Sequence, residues 1–150
     1  PLPVIAGDMD SALGLIQHIP PEGRILMEAF WPGPLTLVFQ ASDRVLPRLT
    51  ARTGKIGLRI SSHPLAARIA AALGRAVAAT SANLSGAPEC ISASQVLENL
   101  GKHLDAVIDG GETPGGKGST IIDMTATPPA PLREGVIPFA LVQKSLRRVK

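Results

Sequence analysis

The sequence predicts an α/β fold: an open sheet of short strands with flanking helices. Three observations carry this. Apolar runs of strand length recur at Leu2–Ala6, Leu35–Phe39, Ile56–Ile60, Ala76–Ala79 and Thr120–Met124. Segments with apolar residues at helical spacing lie between them, such as the one carrying Leu65, Ile69 and Leu73. The 15 Gly and 14 Pro supply the many turns such an arrangement needs.

Composition narrows the function classes. Hydrophobic residues make up 45% of the 150, enough for one globular domain over residues 1–150. One Trp, three Phe and no Tyr leave little aromatic surface for stacking bases. The net charge of +3 comes from scattered Lys and Arg, with no basic run longer than Arg147-Arg148. Cys90 is the only cysteine, so no intrachain disulfide can form and a reducing cytoplasm is the expected location. His18, His63 and His103 show no ligand spacing with Cys or acidic residues, so no protein-held metal is expected. No apolar run reaches membrane-spanning length and no signal peptide is visible, so no membrane partner is expected. The chain opens on Pro1 and enters a strand at once, which reads as the remainder of a longer polypeptide.

Taken in order, Leu2–Ala6 is a strand. Asp8 caps a helix with Met9, Leu13, Ile16 and Ile19 at helical spacing, weakened by Gly14. Pro20-Pro21 ends it, and a second helix opens at Pro21 or Glu22 with Leu26 and Phe30 inward. Trp31-Pro32-Gly33-Pro34 forms a rigid corner, read as structural rather than ligand-binding. Leu35–Phe39 is the next strand. In the strand ending at Ile60, Ile56, Leu58 and Ile60 share one face, while Lys55, Gly57 and Arg59 share the other. Two cations flanking a glycine suit an anionic ligand, and they equally suit a solvated face.

A helix from His63 or Pro64 to about Leu73 stops at Gly74, and Ala76–Ala79 follows. Strand, helix and strand predict a parallel β-α-β unit with Arg59 and Ser81 near one rim. Beyond it, Thr80–Gly86 clusters small polar residues. Ser81 and Asn83 either meet a phosphate or carboxylate or tie the turn to itself. Ser92 caps a helix over Ala93–Leu100, and Ala106–Asp109 reads as a short strand. In Gly110–Thr120 the spacing of Gly111, Gly116 and Lys117 fits a P-loop. Gly118 stands where Ser or Thr is needed, and a strand follows where a helix should, so that motif is rejected. A flexible glycine loop remains, free to close over a ligand. Ala126–Pro131 is a proline-rich connector, Leu132–Ile137 is a turn-bounded short strand, and Phe139–Val149 forms a terminal amphipathic helix.

Five segments resemble the YrdC-type family, the threonylcarbamoyl-AMP synthases. They are Trp31–Thr36, Gly57-Leu58-Arg59 with His63-Pro64, Thr80–Gly86, Ser119–Asp123, and Leu132-Arg133-Glu134-Gly135. They occur in the family's order over nearly the whole chain. The resemblance implies an open twisted mixed sheet. It implies synthesis of threonylcarbamoyl-adenylate and pyrophosphate from L-threonine, bicarbonate and ATP, for the threonylcarbamoyladenosine of tRNA. It assigns L-threonine binding to Arg59, Ala79 and Ser119. It assigns ATP contacts to Lys55, Ser81, Asn83, Glu89 and Arg133. No residue is expected to act covalently, since positioning and electrostatics suffice for such a transfer. Magnesium is expected to arrive on the triphosphate. Beyond its substrates, the expected partners are tRNA or double-stranded RNA and a downstream tRNA threonylcarbamoyl-transfer complex.

Two departures stand out. The family's upstream Thr-x-x-x-Gly and Lys-x-Arg-Pro segments are absent, so the chain is expected to be an N-terminally truncated domain, inactive alone. Ile5 stands near the place of a threonine-site His found in some members. Two alternatives compete with the synthase: a non-catalytic double-stranded RNA-binding module, and a carbamoyl-transfer domain of a hydrogenase-maturation protein.

Overall fold

The computed structural model describes residues 2–113 and 116–147. The chain divides into two compact units, Pro1–Ala79 with Gly118–Lys150, and Thr80–Lys117.

The first unit is built on six strands: β1 Pro3–Ala6, β2 Leu35–Gln40, β3 Lys55–Ile60, β4 Val77–Ala78, β5 Thr120–Asp123 and β6 Ala130–Arg133. Their order is β4-β1-β3-β2-β5-β6. Pairs β1–β3 and β2–β5 are parallel, while β1–β4, β2–β3 and β5–β6 are antiparallel. The sheet is therefore open and mixed, as the resemblance implies. Alternation sorts its residues onto two faces. Val4, Leu35, Leu37, Phe39, Ile56, Leu58 and Ile122 are buried in the core. Helices α1 (Met9–Leu13), α2 (Pro21–Phe30) and α5 (Phe139–Arg147) contribute Ala12, Leu26, Met27 and Val142 to it. Fully burying a side chain such as Leu26 or Phe39 stabilises the fold by roughly 1.5–3 kcal/mol. Lys55, Gly57 and Arg59 of β3 and Thr36 of β2 fall on the opposite face.

Four expectations need correcting. The predicted parallel β-α-β unit does not form. Helix α3 (Pro64–Ala72) ends against the chain just beyond β1, where a Cβ on Gly7 would stand 2.9 Å from the Ala71 nitrogen. The chain then turns through Gly74, at φ +59°, and returns antiparallel to β1, outside it. Strand β1 itself occupies the place beside β3. Second, α1 stops at Leu13 instead of reaching Ile19. Leu15–Gln17 instead joins the chain after β2: Ile16 bridges Ala41, and the Gln17 N–H donates to the Gln40 carbonyl at 2.9 Å. Third, Ala106–Asp109 is not a strand. Fourth, the last strand is Ala130–Arg133, beginning inside the expected connector and ending before Glu134, because its Ala130, Pro131 and Arg133 pair with β5.

The second unit holds α4 (Ala93–Leu100), followed by a 3-10 turn, Gly101–His103. The Ser92 side chain caps α4, accepting from the Gln95 N–H at 3.3 Å. Gln95 reciprocates, its side-chain oxygen accepting from the Ile91 N–H at 2.9 Å. Pro114 and Gly115 of the glycine loop, and Val149 at the expected helix end, lie outside the described residues. Among the described residues, no helix is long and apolar enough to cross a membrane.

Candidate functional site

In the first unit, the polar face of β3 and the strands beside it gather the charged and hydroxyl groups. Arg59 is half-buried, and its Nε donates to the Gly33 carbonyl at 2.9 Å. The Gly33 N–H donates in turn to the Ile60 carbonyl at 2.9 Å. The Trp31–Pro34 corner is thus more than a turn, because it fixes the guanidinium stem. Trp31 anchors the corner, buried with its Nε1 donating to the Leu35 carbonyl at 2.8 Å. A side chain at Gly33 would collide with the Phe30 carbonyl. Burial lowers the Arg59 pKa, yet a guanidinium starts so far above neutral that it stays charged. Its terminal nitrogens keep their donor capacity for an anion.

Gly57 lies two residues away on the same face. A Cβ there would meet Thr36 at 3.4 Å, Val38 at 3.8 Å and the Pro3 Cα at 3.9 Å. Glycine keeps this stretch of the face low. Ile5 pairs with Arg59 across the β1–β3 ladder.

A chain of polar groups borders Arg59. From the Leu37–Leu58 pair, the antiparallel register leads next to Thr36 and Arg59. The Thr36 and Ser119 hydroxyls lie 2.8 Å apart. Arg133 donates to the Ser119 carbonyl through Nε at 3.1 Å and Nη2 at 2.8 Å, and to Ser119 Oγ at 3.3 Å. Behind Ser119, the buried Thr120 hydroxyl accepts from the Gly135 and Ile137 N–H groups, at 2.9 and 3.0 Å, and donates to the Ile137 carbonyl at 2.6 Å. Gly135 passes so close that a Cβ would meet Ser119 C at 2.5 Å and Thr120 N at 2.6 Å. The Ser119-Thr120 and Arg133–Gly135 segments thus form one clasp.

Lys55 sits at the far end of the same β3 face, in an ion pair of 2.9 Å with Asp123. Burial alone raises the Asp123 carboxyl. Hydrogen bonds from Thr125 and Lys55, with the Lys55 charge, outweigh it and hold the pKa below the usual 3.8. Ala79 follows β4, its N–H donating to the Pro3 carbonyl at 2.8 Å. Of the expected residues in this unit, Ser119 and Arg133 share one chain of polar groups with Thr36, Arg59 lies on the β3 face bordering it, Lys55 holds the lower end of that face, and Ala79 borders β1.

Ser81, Asn83 and Glu89 belong to the second unit. Asn83 secures its own loop: its amide donates to the carbonyls of Leu84, at 3.0 Å, and Ala87, at 2.8 Å. The Cys90 N–H donates to the Ala82 carbonyl at 2.9 Å. A cavity of about 440 Å³ is lined by Asn83, Glu89, Cys90, Gln95 and Asn99, among others. Ser81 and Glu89 are exposed. Among the described residues, no cluster of three or more His, Cys, Asp or Glu is placed to hold a metal.

Sequence reasoning missed Thr36, Thr120 and Asp123 as site-building residues. The available signal was polarity out of place: Thr36 interrupts Leu35–Phe39, and Thr120 and Asp123 bracket an apolar pair. Each is buried, and a buried polar group in a strand needs a partner.

The Sua5_yciO_yrdC family model, described as telomere recombination, matches residues 1–135. The chain belongs to this family. It is 39% identical over 137 residues to the threonylcarbamoyl-AMP synthase of Pyrococcus abyssi, covering 91% of this chain and 40% of that protein. It is 36% identical over 138 residues to the threonylcarbamoyl-AMP synthase of Bacillus subtilis, again covering 91% of this chain and 40% of the relative. The crystal structure of P. abyssi Sua5 complexed with L-threonine superposes with a TM-score of 0.92 at 37% identity, over 97% of this chain and 43% of that one. The chain therefore spans less than half the length of these relatives. Membership of the family accords with the mixed open sheet.

Proposed function

We propose that this chain carries the L-threonine pocket and part of the ATP site of a threonylcarbamoyl-AMP synthase. The reaction joins L-threonine, bicarbonate and ATP into threonylcarbamoyl-adenylate and pyrophosphate, a nucleotidyl transfer that feeds tRNA modification. The single observation that carries the reading is the half-buried Arg59, held by the Gly33 carbonyl beside the Thr36–Ser119–Arg133 chain. Such a guanidinium binds a carboxylate through two parallel bonds. The names of the relatives from P. abyssi and B. subtilis, and the threonine held by P. abyssi Sua5, support the same substrate.

In this reading Arg59 grips the threonine carboxylate, and Ser119 and the Ala79 backbone line the pocket. The threonine nitrogen bonds to the bicarbonate carbon as a C–O bond breaks and water leaves, giving a carbamate whose oxygen attacks the α-phosphorus as pyrophosphate leaves. Lys55 and Arg133 offset phosphate charge. Ser81 donates to a phosphate oxygen, Asn83 holds the loop that presents Ser81, and Glu89 lies beside the nucleotide. Magnesium enters with ATP as part of the substrate. Holding the reactants in line supplies most of the acceleration. The single cysteine suits a reducing cytoplasm. The test is pyrophosphate release dependent on all three substrates, measured in a longer chain that also carries the family's upstream Thr-x-x-x-Gly and Lys-x-Arg-Pro segments. Arg59→Ala should raise the threonine requirement most, and Ser81→Ala should mainly impair ATP use. Unchanged threonine kinetics after the Arg59 change would remove the assignment.

A further inference from the structure

Thr36 is 2% exposed, and Ser119 is half-buried beside it. The Thr36 hydroxyl has one hydrogen-bond partner among the described residues, Ser119 Oγ at 2.8 Å. Either oxygen satisfies the distance, so the direction follows from the hydrogen inventory. A hydroxyl carries one hydrogen and two lone pairs. If Ser119 donated, the Thr36 hydrogen would have no acceptor in a buried site, which is costly. Thr36 therefore donates. Arg133 Nη2 can only donate, and it reaches the same oxygen at 3.3 Å. Both lone pairs of Ser119 Oγ are thereby occupied. What remains is its own O–H, which has no other partner among the described residues.

We propose that Thr36 is a positioning residue that makes Ser119 an obligate hydrogen-bond donor to an acceptor oxygen of the bound amino acid. The inference rests on the L-threonine reading of this pocket and deepens it. Thr36 does not touch the ligand; it acts through Ser119. Without its hydroxyl, the Ser119 O–H rotates freely and presents a lone pair as often as a proton. The ligand oxygen, itself an acceptor, then loses a donor already oriented towards it.

A double-mutant cycle on L-threonine binding, read by calorimetry, tests this in the protein as it stands. Thr36→Val keeps the shape and removes the hydroxyl. It should weaken threonine binding about three- to ten-fold, the range of one hydrogen bond. In a Ser119→Ala background the same change should have almost no further effect. Thr36→Ser keeps the hydroxyl and should bind within about two-fold of the parent. If Thr36→Val does not fold by circular dichroism, Thr36→Ala replaces it in the cycle. Equal losses from the Thr36 change in the parent and in the Ser119→Ala background, or a Thr36→Ser loss as large as Thr36→Val, would overturn the inference while leaving the pocket assignment intact. No threonine binding by the unsubstituted protein would overturn the pocket assignment and the inference with it.

Discussion

Arg59 combines two demands that pull against each other. In the proposed pocket it must lie deep enough to face a ligand away from bulk water, yet a buried guanidinium without partners is costly. The Gly33 carbonyl resolves this by accepting from Nε at 2.9 Å. Lysine has a single nitrogen, which cannot hold that carbonyl and also present a planar two-pronged fork, so Arg59→Lys should weaken threonine binding at least about ten-fold although the charge is kept, as calorimetry would report. At the other end of the strand, Asp123 makes stability depend on pH. Its folded pKa lies below the usual 3.8, so its contribution is present at neutral pH and is lost as pH falls through the folded value. Lys55 is 37% exposed, so solvent screening keeps the pair's worth under about 1 kcal/mol. Asp123→Asn should flatten the acid limb of the urea midpoint measured against pH. The roles of Lys55 and Arg59 as a shared face were legible from period-two spacing. Thr36 was not, because its neighbour Ser119 lies 83 positions away and only strand pairing brings them together.

Among the elements, the clasp between β5 and β6 holds the most consequence. Three hydrogen bonds converge on the Thr120 hydroxyl, which is fully buried. Thr120→Val would keep the volume and leave two N–H groups and one carbonyl unpaired, at about 1–3 kcal/mol for each unsatisfied group. A fall in melting temperature of several degrees should follow, larger than that for Thr36→Val. Gly135→Ala should be worse, because its Cβ would be driven into the backbone at Ser119 and Thr120. Strands β1 to β5 were readable from apolar runs, as was α2 from its proline start and inner stripe, whereas β6 begins at Ala130 within a proline-rich stretch that carries no strand pattern. The pairing of β4 was not. A helix between two strands favours a parallel crossover in general. Here the decisive contact is Gly7 against Ala70 and Ala71, a long-range approach that no local pattern encodes. Helix α1 failed for a related reason: the Ile16–Ala41 bridge won over helical spacing.

At the scale of the whole molecule, the two units differ in how they are built. The first contains the continuous core of Phe39, Leu26, Leu35, Leu37, Ile56 and Leu58, each almost fully buried. In Thr80–Lys117 no described residue is fully buried, and Leu97 and Ile108 are 56% and 62% exposed. A segment of that size cannot remove enough apolar surface from water to be stable by itself. Amide hydrogen exchange across Thr80–Lys117 should therefore be at least about a hundred-fold faster than across β2 and β3. Ser81, Asn83 and Glu89 ride on this more easily opened unit, whereas Arg59 and Arg133 lie in strands of the sheet and Ser119 immediately precedes β5. If the proposed assignments hold, nucleotide contacts from Thr80–Lys117 should carry a larger ordering cost than threonine contacts from the strands. The measurement that tests the central claim most directly is calorimetric titration of L-threonine into the protein and its Arg59→Ala variant. The account predicts saturable binding that the substitution weakens at least about ten-fold, the loss expected for a charge-assisted pair. Binding of equal strength in both proteins would contradict it.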